Sequence, residues 1–201
     1  MRASVITLAK KTTSLLTRAH RAIALLAKDR SGFGAIEFAI VTPLLVVAYI
    51  GAFEVTLGFT VKGKVERAAS SVADLVAQQS EVNKTYLGNM SNVANSILAP
   101  YQNSGYTLKI TGIKVDSANQ GTVVWSRDQN GGVPYPANSP VTVPGQFAAT
   151  EAFVVRTELV VPHELLLFAE GLGSRALNTI DLSKTAFYRS RQAEIIKCPD
   201  C

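Results

Sequence analysis

The residues of this chain whose types and spacing could do chemistry fall into three groups. Cys198 and Cys201 form a Cys-Pro-Asp-Cys run at the C-terminus. A thioredoxin-type pair opens a helix, whose N-terminus lowers the thiol pKa. Here the sequence stops at the second cysteine, so redox catalysis is not expected. A closed zinc site needs more ligands than two cysteines supply. In an oxidising compartment the pair is expected to close a local disulfide, with two unpartnered thiols as the alternative. The second group is the two histidines, His20 and His163. His163 stands beside Glu164, but two ligands do not make a metal centre, and a surface turn after Pro162 is the expected setting. The third group is the run Arg30-Ser31-Gly32-Phe33-Gly34-Ala35-Ile36-Glu37-Phe38, which leads into the most apolar stretch of the chain.

Glu37 sets the problem in that third group. A carboxylate carried to mid-membrane costs about 2.5–3.5 kcal/mol, so it needs a partner or an interface. A cut between Gly32 and Phe33 would give Phe33 a free ammonium one helical turn from Glu37. That ammonium, or one on a neighbouring subunit, could then pair with it. Gly32 is small enough to let a protease reach the backbone, and the basic residues before it keep the site on the cytoplasmic side. The plainer reading has Glu37 simply reaching up to the headgroups.

Catalytic motifs are absent from the sequence. No His-Glu-x-x-His, Gly-x-Ser-x-Gly or phosphate-binding loop occurs. Gly171-Leu172-Gly173 lacks the rest of a nucleotide fingerprint and reads as a helix stop. The expectation is a protein that is not an enzyme, with no cofactor and no metal.

The charge distribution also argues against a nucleic-acid partner. Residues 1–32 hold Arg2, Lys10, Lys11, Arg18, Arg21, Lys28 and Arg30 against Asp29, a local charge of +6. The rest of the chain sums to −1 although the whole carries +5. A DNA-binding domain would carry its basic residues on a folded face. Here they precede an apolar run, where they can set topology.

That run, Phe38–Phe53, has no charge and is bounded by Glu37 and Glu54. Apolar residues continue to Val61, so the 29 residues from Phe33 to Val61 would make roughly 43 Å of helix. A bilayer core of about 30 Å needs about 20 residues. The span fits if the two glutamates lie near the two interfaces, roughly 25 Å apart. Positive charge stays in the cytoplasm, which orients the chain with its N-terminus in and its C-terminal domain out. A cleaved secretory signal and a buried core helix are the competing readings. The run is longer than a signal's apolar core and lacks a small-x-small site at its end.

Beyond the membrane, Val65, Ala68, Ala69, Val72, Ala73 and Val76 recur at helical spacing with charges interleaved. One helix from Phe33 to Gln79, with Pro43 inside it, is expected. A second amphipathic helix starts at Asn83 or Thr85 and ends at Pro100. Its apolar face is Leu87, Met90, Val93, Ala94, Ile97 and Leu98. The period then changes to two. Tyr106, Leu108 and Ile110 alternate, as do Ile113 and Val115, with a slip that a bulge at Gly112 would explain. Thr122–Ser126 reads as the returning strand, and Arg127–Gly145, with four prolines, as an exposed loop. Ala152–Val161 is a β-branched strand stopped by Pro162, and Glu164–Ala169 a short helix. Thr179–Arg189 is a last strand. The fold class expected is α+β: a long N-terminal transmembrane helix running into a domain with an antiparallel sheet of about four strands and packed helices. Its divisions are a basic cytoplasmic leader (1–32), a transmembrane helix (33–61) and an extracytoplasmic domain (62–201).

The segment Gly32-Phe33-x-x-x-Glu37 followed by an apolar span resembles a prepilin processing site, with Phe33 and Glu37 at the first and fifth mature positions. The longer stretch GAIEFAIVTPLLVVAYIGAFEVTLGF with KVERAASSVADLV is similar to the TadE/TadG-like family of the tight-adherence (Flp) pilus system. Ala152–Arg191 is similar too, more weakly. This resemblance implies a pseudopilin-like structural or assembly subunit of the bacterial inner membrane. Other pilus subunits and the assembly platform would be its partners, and a prepilin peptidase its processing enzyme. Phe38 stands where major Flp pilins have tyrosine, which points to a minor component. The alternative is an uncleaved, signal-anchored periplasmic binding module whose Pro/Gly-rich loop contacts a ligand or the cell wall.

Overall fold

The computed structural model describes residues 32–101, 105–118, 120–147, 152–165 and 179–201. The basic leader with His20, the Gly171–Gly173 stop and most of the expected Glu164–Ala169 helix lie outside them. The chain divides into two units, Met1–Ile50 and Gly51–Cys201.

Helix α1 (Phe33–Ala77) is 45 residues long and contains Pro43. It ends two residues before the expected Gln79. In the first unit its side chains are almost wholly exposed: Phe38, Leu44, Leu45, Val47 and Tyr49 are all at least three-fifths open. In the second unit the expected stripe is buried, with Val65, Ala68, Ala69, Val72, Ala73 and Val76 at zero exposure. Small residues there let a sheet and a second helix approach the backbone closely.

Helix α2 (Lys84–Leu98) begins at Asn83, whose side-chain oxygen accepts from the Tyr86 N–H at 2.8 Å. This is the capping that a short polar side chain provides. Leu87, Met90, Ala94 and Leu98 are buried, with Val93 and Ile97 packed beside them. At its C-terminal end Lys64 Nζ donates to the carbonyls of Ile97 and Ala99 at 3.1 and 2.7 Å. A cation there offsets the helix dipole as well as satisfying carbonyls.

The sheet has five antiparallel strands in the order β3-β2-β1-β4-β5. They are β1 (Thr107–Val115), β2 (Gly121–Asp128), β3 (Pro140–Val141), β4 (Ala152–Glu164) and β5 (Thr179–Arg189). The α+β class is therefore as expected, and β5 has the expected bounds.

Three local expectations are corrected. First, the irregularity expected at Gly112 is present in the β1–β2 ladder, between Gly112 and Ile113, but β1 itself is not the bulged strand. It pairs with β4 without a break, from Thr107↔Val160 to Val115↔Ala152. The extra residue is on β2, since Gly112 faces Trp125 and Ile113 faces Val123, leaving Val124 over. The apolar pattern slips because β1 feeds two cores. Leu108 and Ile110 join the helix-side cluster, while Ile113 and Val115 join Val143 and Val154 in a second one. Residues an odd number apart on a strand point to opposite faces. Second, Pro162 does not end β4. β5 pairs along it as far as Glu164↔Thr179, whereas β1 stops opposite Val160. A residue without an N–H is tolerated where one flank carries no strand. Third, part of the 127–145 segment is built into the sheet. Asp128 closes β2, Pro140 and Val141 pair with Thr122 and Gly121, and Val143 is buried. Val133 and several other residues of that segment are exposed, as expected.

Candidate functional site

The processing segment lies at the start of α1, in the first unit. Gly32 precedes the helix, and its carbonyl accepts from the Ile36 N–H at 3.2 Å. The Gly32–Phe33 peptide therefore sits at the mouth of the first turn. Glu37 is exposed, one turn further on. A Cβ added to Gly32 would meet nothing within 4 Å, so the fold itself does not require a glycine there.

From Phe38 to Val61 α1 is lined by residues suited to lipid. Among the described residues it is the one helix long and apolar enough to cross a membrane, and its most apolar stretch is uncovered. Its threonines satisfy their hydroxyls within the helix. Thr42 donates to Phe38 O at 2.7 Å, Thr56 to Ala52 O at 2.9 Å and Thr60 to Thr56 O at 2.9 Å. Polar groups facing hydrocarbon need such internal partners.

His163 and Glu54 form a pair that the sequence reading did not foresee. His163 lies in β4, 7% exposed, and is not on a surface turn. Its Nε2 is 4.0 Å from Glu54 Oε1, on a carboxylate that is itself buried. Glu164 is exposed, so it does not join His163 in a metal set. A charged residue on a helix and a histidine 109 positions later carry no sequence signal of contact; they meet because β4 carries His163 alongside α1.

The C-terminal segment is stitched to the helices. Trp125 Nε1 donates to Ile196 O at 2.8 Å in the core, and Val82 N donates to Lys197 O at 2.9 Å. Arg191 bridges Asp74 at 2.6 Å. Cys198 and Cys201 have Cα atoms 5.4 Å apart and sulfurs at bonding distance. Asp200 joins them as a third potential metal ligand, but bonded sulfurs leave one carboxylate, short of any closed site.

On the sheet face away from the helices, a charged group is folded under Tyr135. The Arg156 guanidinium lies 4.5 Å from the ring centroid and Lys109 Nζ 5.6 Å from it. Arg156 also reaches Glu158 at 3.3 Å. Burial, with the Glu158 carboxylate next to it, pushes the Tyr135 phenol above its ordinary range, against a smaller opposite effect of Arg156. Arg156 and Glu158 are two apart on one strand, so they share a face. That was the legible signal for this group.

Taken together, the described residues hold one apolar helix of the length and composition of a single-pass membrane anchor, an α+β domain after it, and no assembled catalytic site among them. Residues 32–74 match the family described as TadE-like protein, so the chain carries a TadE-like segment that starts at Gly32 and ends in the buried part of α1. The family is one of pilus structure and assembly. No curated protein and no solved structure matches the chain.

Proposed function

We propose that the protein is a pseudopilin-like structural subunit of Tad pilus assembly, held in the inner membrane by α1 with its α+β domain on the periplasmic side. The observation that carries this reading is the extent of the TadE-like match. It begins at Gly32 and takes in Glu37 and the whole uncovered part of α1. The local charge of +6 before Gly32 favours a cytoplasmic N-terminus. Its partners are then other pilus subunits, the assembly platform and a prepilin peptidase acting at Gly32–Phe33.

Deleting the gene in its host tests the role. Loss of surface Tad filaments, restored by the gene in trans, is the expected result; filaments of normal number and length would overturn it. Topology has its own test. A reporter active only in the periplasm, fused after Cys201, should be active, and a silent one beside a working cytoplasmic reporter reverses the orientation.

A further inference from the structure

α1 is covered on one arc only where it enters the second unit. Glu54 and Val61 are buried against the domain, with Leu57 partly so. Phe53, Val55 and Phe59, on the remaining arc, are 52%, 58% and 70% exposed. Thr56 and Thr60 share that open arc and bond back to their own helix. The first exposed charge after Glu37 on the helix is therefore Lys62 and not Glu54, because Glu54 has turned in to His163.

Distance separates two positions for the outer membrane boundary. Glu37 and Glu54 are seventeen residues apart, roughly 25 Å of helix, short of a bilayer core of about 30 Å. Glu37 and Lys62 are twenty-five apart, roughly 37 Å, which places both charges in the headgroup layers that bring the total to about 40–45 Å.

We infer that the lipid-facing surface runs on past Glu54 to Thr60, and that the β4–β5 end of the domain lies in the headgroup layer. The Glu54–His163 contact withdraws the one intervening carboxylate from lipid. Ile180, the β5 partner of His163, is 48% exposed at that end. The occupant of this surface is the bilayer, because the arc that Phe53, Val55 and Phe59 leave open is apolar and carries no charge before Lys62. This inference rests on the membrane-anchor reading.

Tryptophan probes in the full chain, reconstituted in phosphatidylcholine vesicles, test it. The native Trp125 is 4% exposed in the domain core and serves as the unquenched reference. Val46→Trp reports on the anchor, Phe59→Trp on the stripe and Ile180→Trp on the β4–β5 end; all three positions are at least 48% exposed, so the added ring does not disturb a core. The expected result is that lipids brominated near the chain end quench Val46→Trp, while lipids brominated near the headgroup quench the other two. Quenching of Val46→Trp alone overturns the inference and leaves the anchor standing. A blue-shifted but unquenched Phe59→Trp also overturns it, and means that protein covers the stripe. A quenched Phe59→Trp with an unquenched Ile180→Trp overturns the placement of the β4–β5 end. No quenching of Val46→Trp removes the anchor reading itself.

Discussion

The backbone N–H of Lys84, the first residue of α2, donates to the carboxylate of Asp200 at 3.0 Å. The first N–H groups of a helix have no partner inside it. Asn83 takes one at Tyr86, and Asp200 takes another from the far end of the sequence. An anion there also meets the positive end of the helix dipole. Asp200→Ala should therefore lower stability by about 1 kcal/mol. Asp200→Asn should lose less, because an amide oxygen still accepts. Denaturant unfolding of detergent-solubilised protein, followed by Trp125 fluorescence, gives the measurement. Equal loss in both variants would mean that charge, and not the hydrogen bond, is what matters.

The same carboxylate sits between Cys198 and Cys201, whose ring holds it toward α2. Protein taken from membranes under oxidising conditions should resist thiol alkylation until reductant is added. Free labelling without reductant would show that the thiols are unpaired in the cell.

Two elements of the fold were legible because one physical pattern dominated each. The stripe of small residues from Val65 to Val76 has one period and one buried face, and β4 carries a β-branched run from Val154 to Val161. Legibility failed where two partners compete for one strand. The ladder does shift register at Gly112, but the extra residue is on β2, and the apolar phase slips on β1 because that strand serves two cores. Pro162 resembled a strand stop because the sequence does not show that β1 ends before it. The Glu54–His163 pair was illegible for a related reason: Glu54 was read as a charge facing a membrane interface, and the β4 strand that buries it comes a hundred residues later.

Gly112 offers a test of that packing. A Cβ at this position would lie 2.6 Å from the Phe153 ring and closer still to Trp125, two of the largest side chains of the helix-side core. Neither ring can move without displacing others. Gly112→Ala should destabilise the domain by about 1–3 kcal/mol through overpacking. The shift in Tm of the detergent-solubilised protein reads this. A variant as stable as the parent would mean that the Trp125 ring is free to reorient.

Tyr135 predicts alkaline behaviour. Burial, with the Glu158 carboxylate beside it, raises its phenol above the ordinary value of 10.0. The folded state then holds the proton more tightly than the unfolded state. The stability this gives is complete below about pH 10 and is lost as pH rises through the folded-state pKa. Tyr135→Phe should flatten the fall in the urea midpoint above about pH 10 without steepening it below. Tyr86, raised chiefly by burial, leaves a residual slope. An unchanged slope in Tyr135→Phe would assign the whole effect to other groups.

Processing at Gly32 makes the strongest functional prediction. Hypothesis: a prepilin-type peptidase cuts between Gly32 and Phe33, leaving 169 residues. The peptide lies at the mouth of α1, where the Ile36 N–H to Gly32 O bond closes the first turn. Removing the basic leader deletes a charge of +6 that holds the N-terminus in the cytoplasm, so the helix can be drawn outward into a filament. The new ammonium of Phe33 lies one turn from Glu37, which gains a partner in its own chain or a neighbour. Gly32→Leu should block the cut. The open space around Gly32 means that this variant folds normally, so a block reflects the protease and not the structure. Glu37→Ala should be cut like the parent yet fail to assemble, because it removes the pairing and leaves the scissile peptide intact. Intact mass and N-terminal sequence of membrane-extracted protein distinguish these outcomes. A chain that still begins at Met1 in cells with active prepilin peptidase would falsify processing while leaving the anchor in place. Normal filaments from the Glu37→Ala variant would remove the pairing from the mechanism.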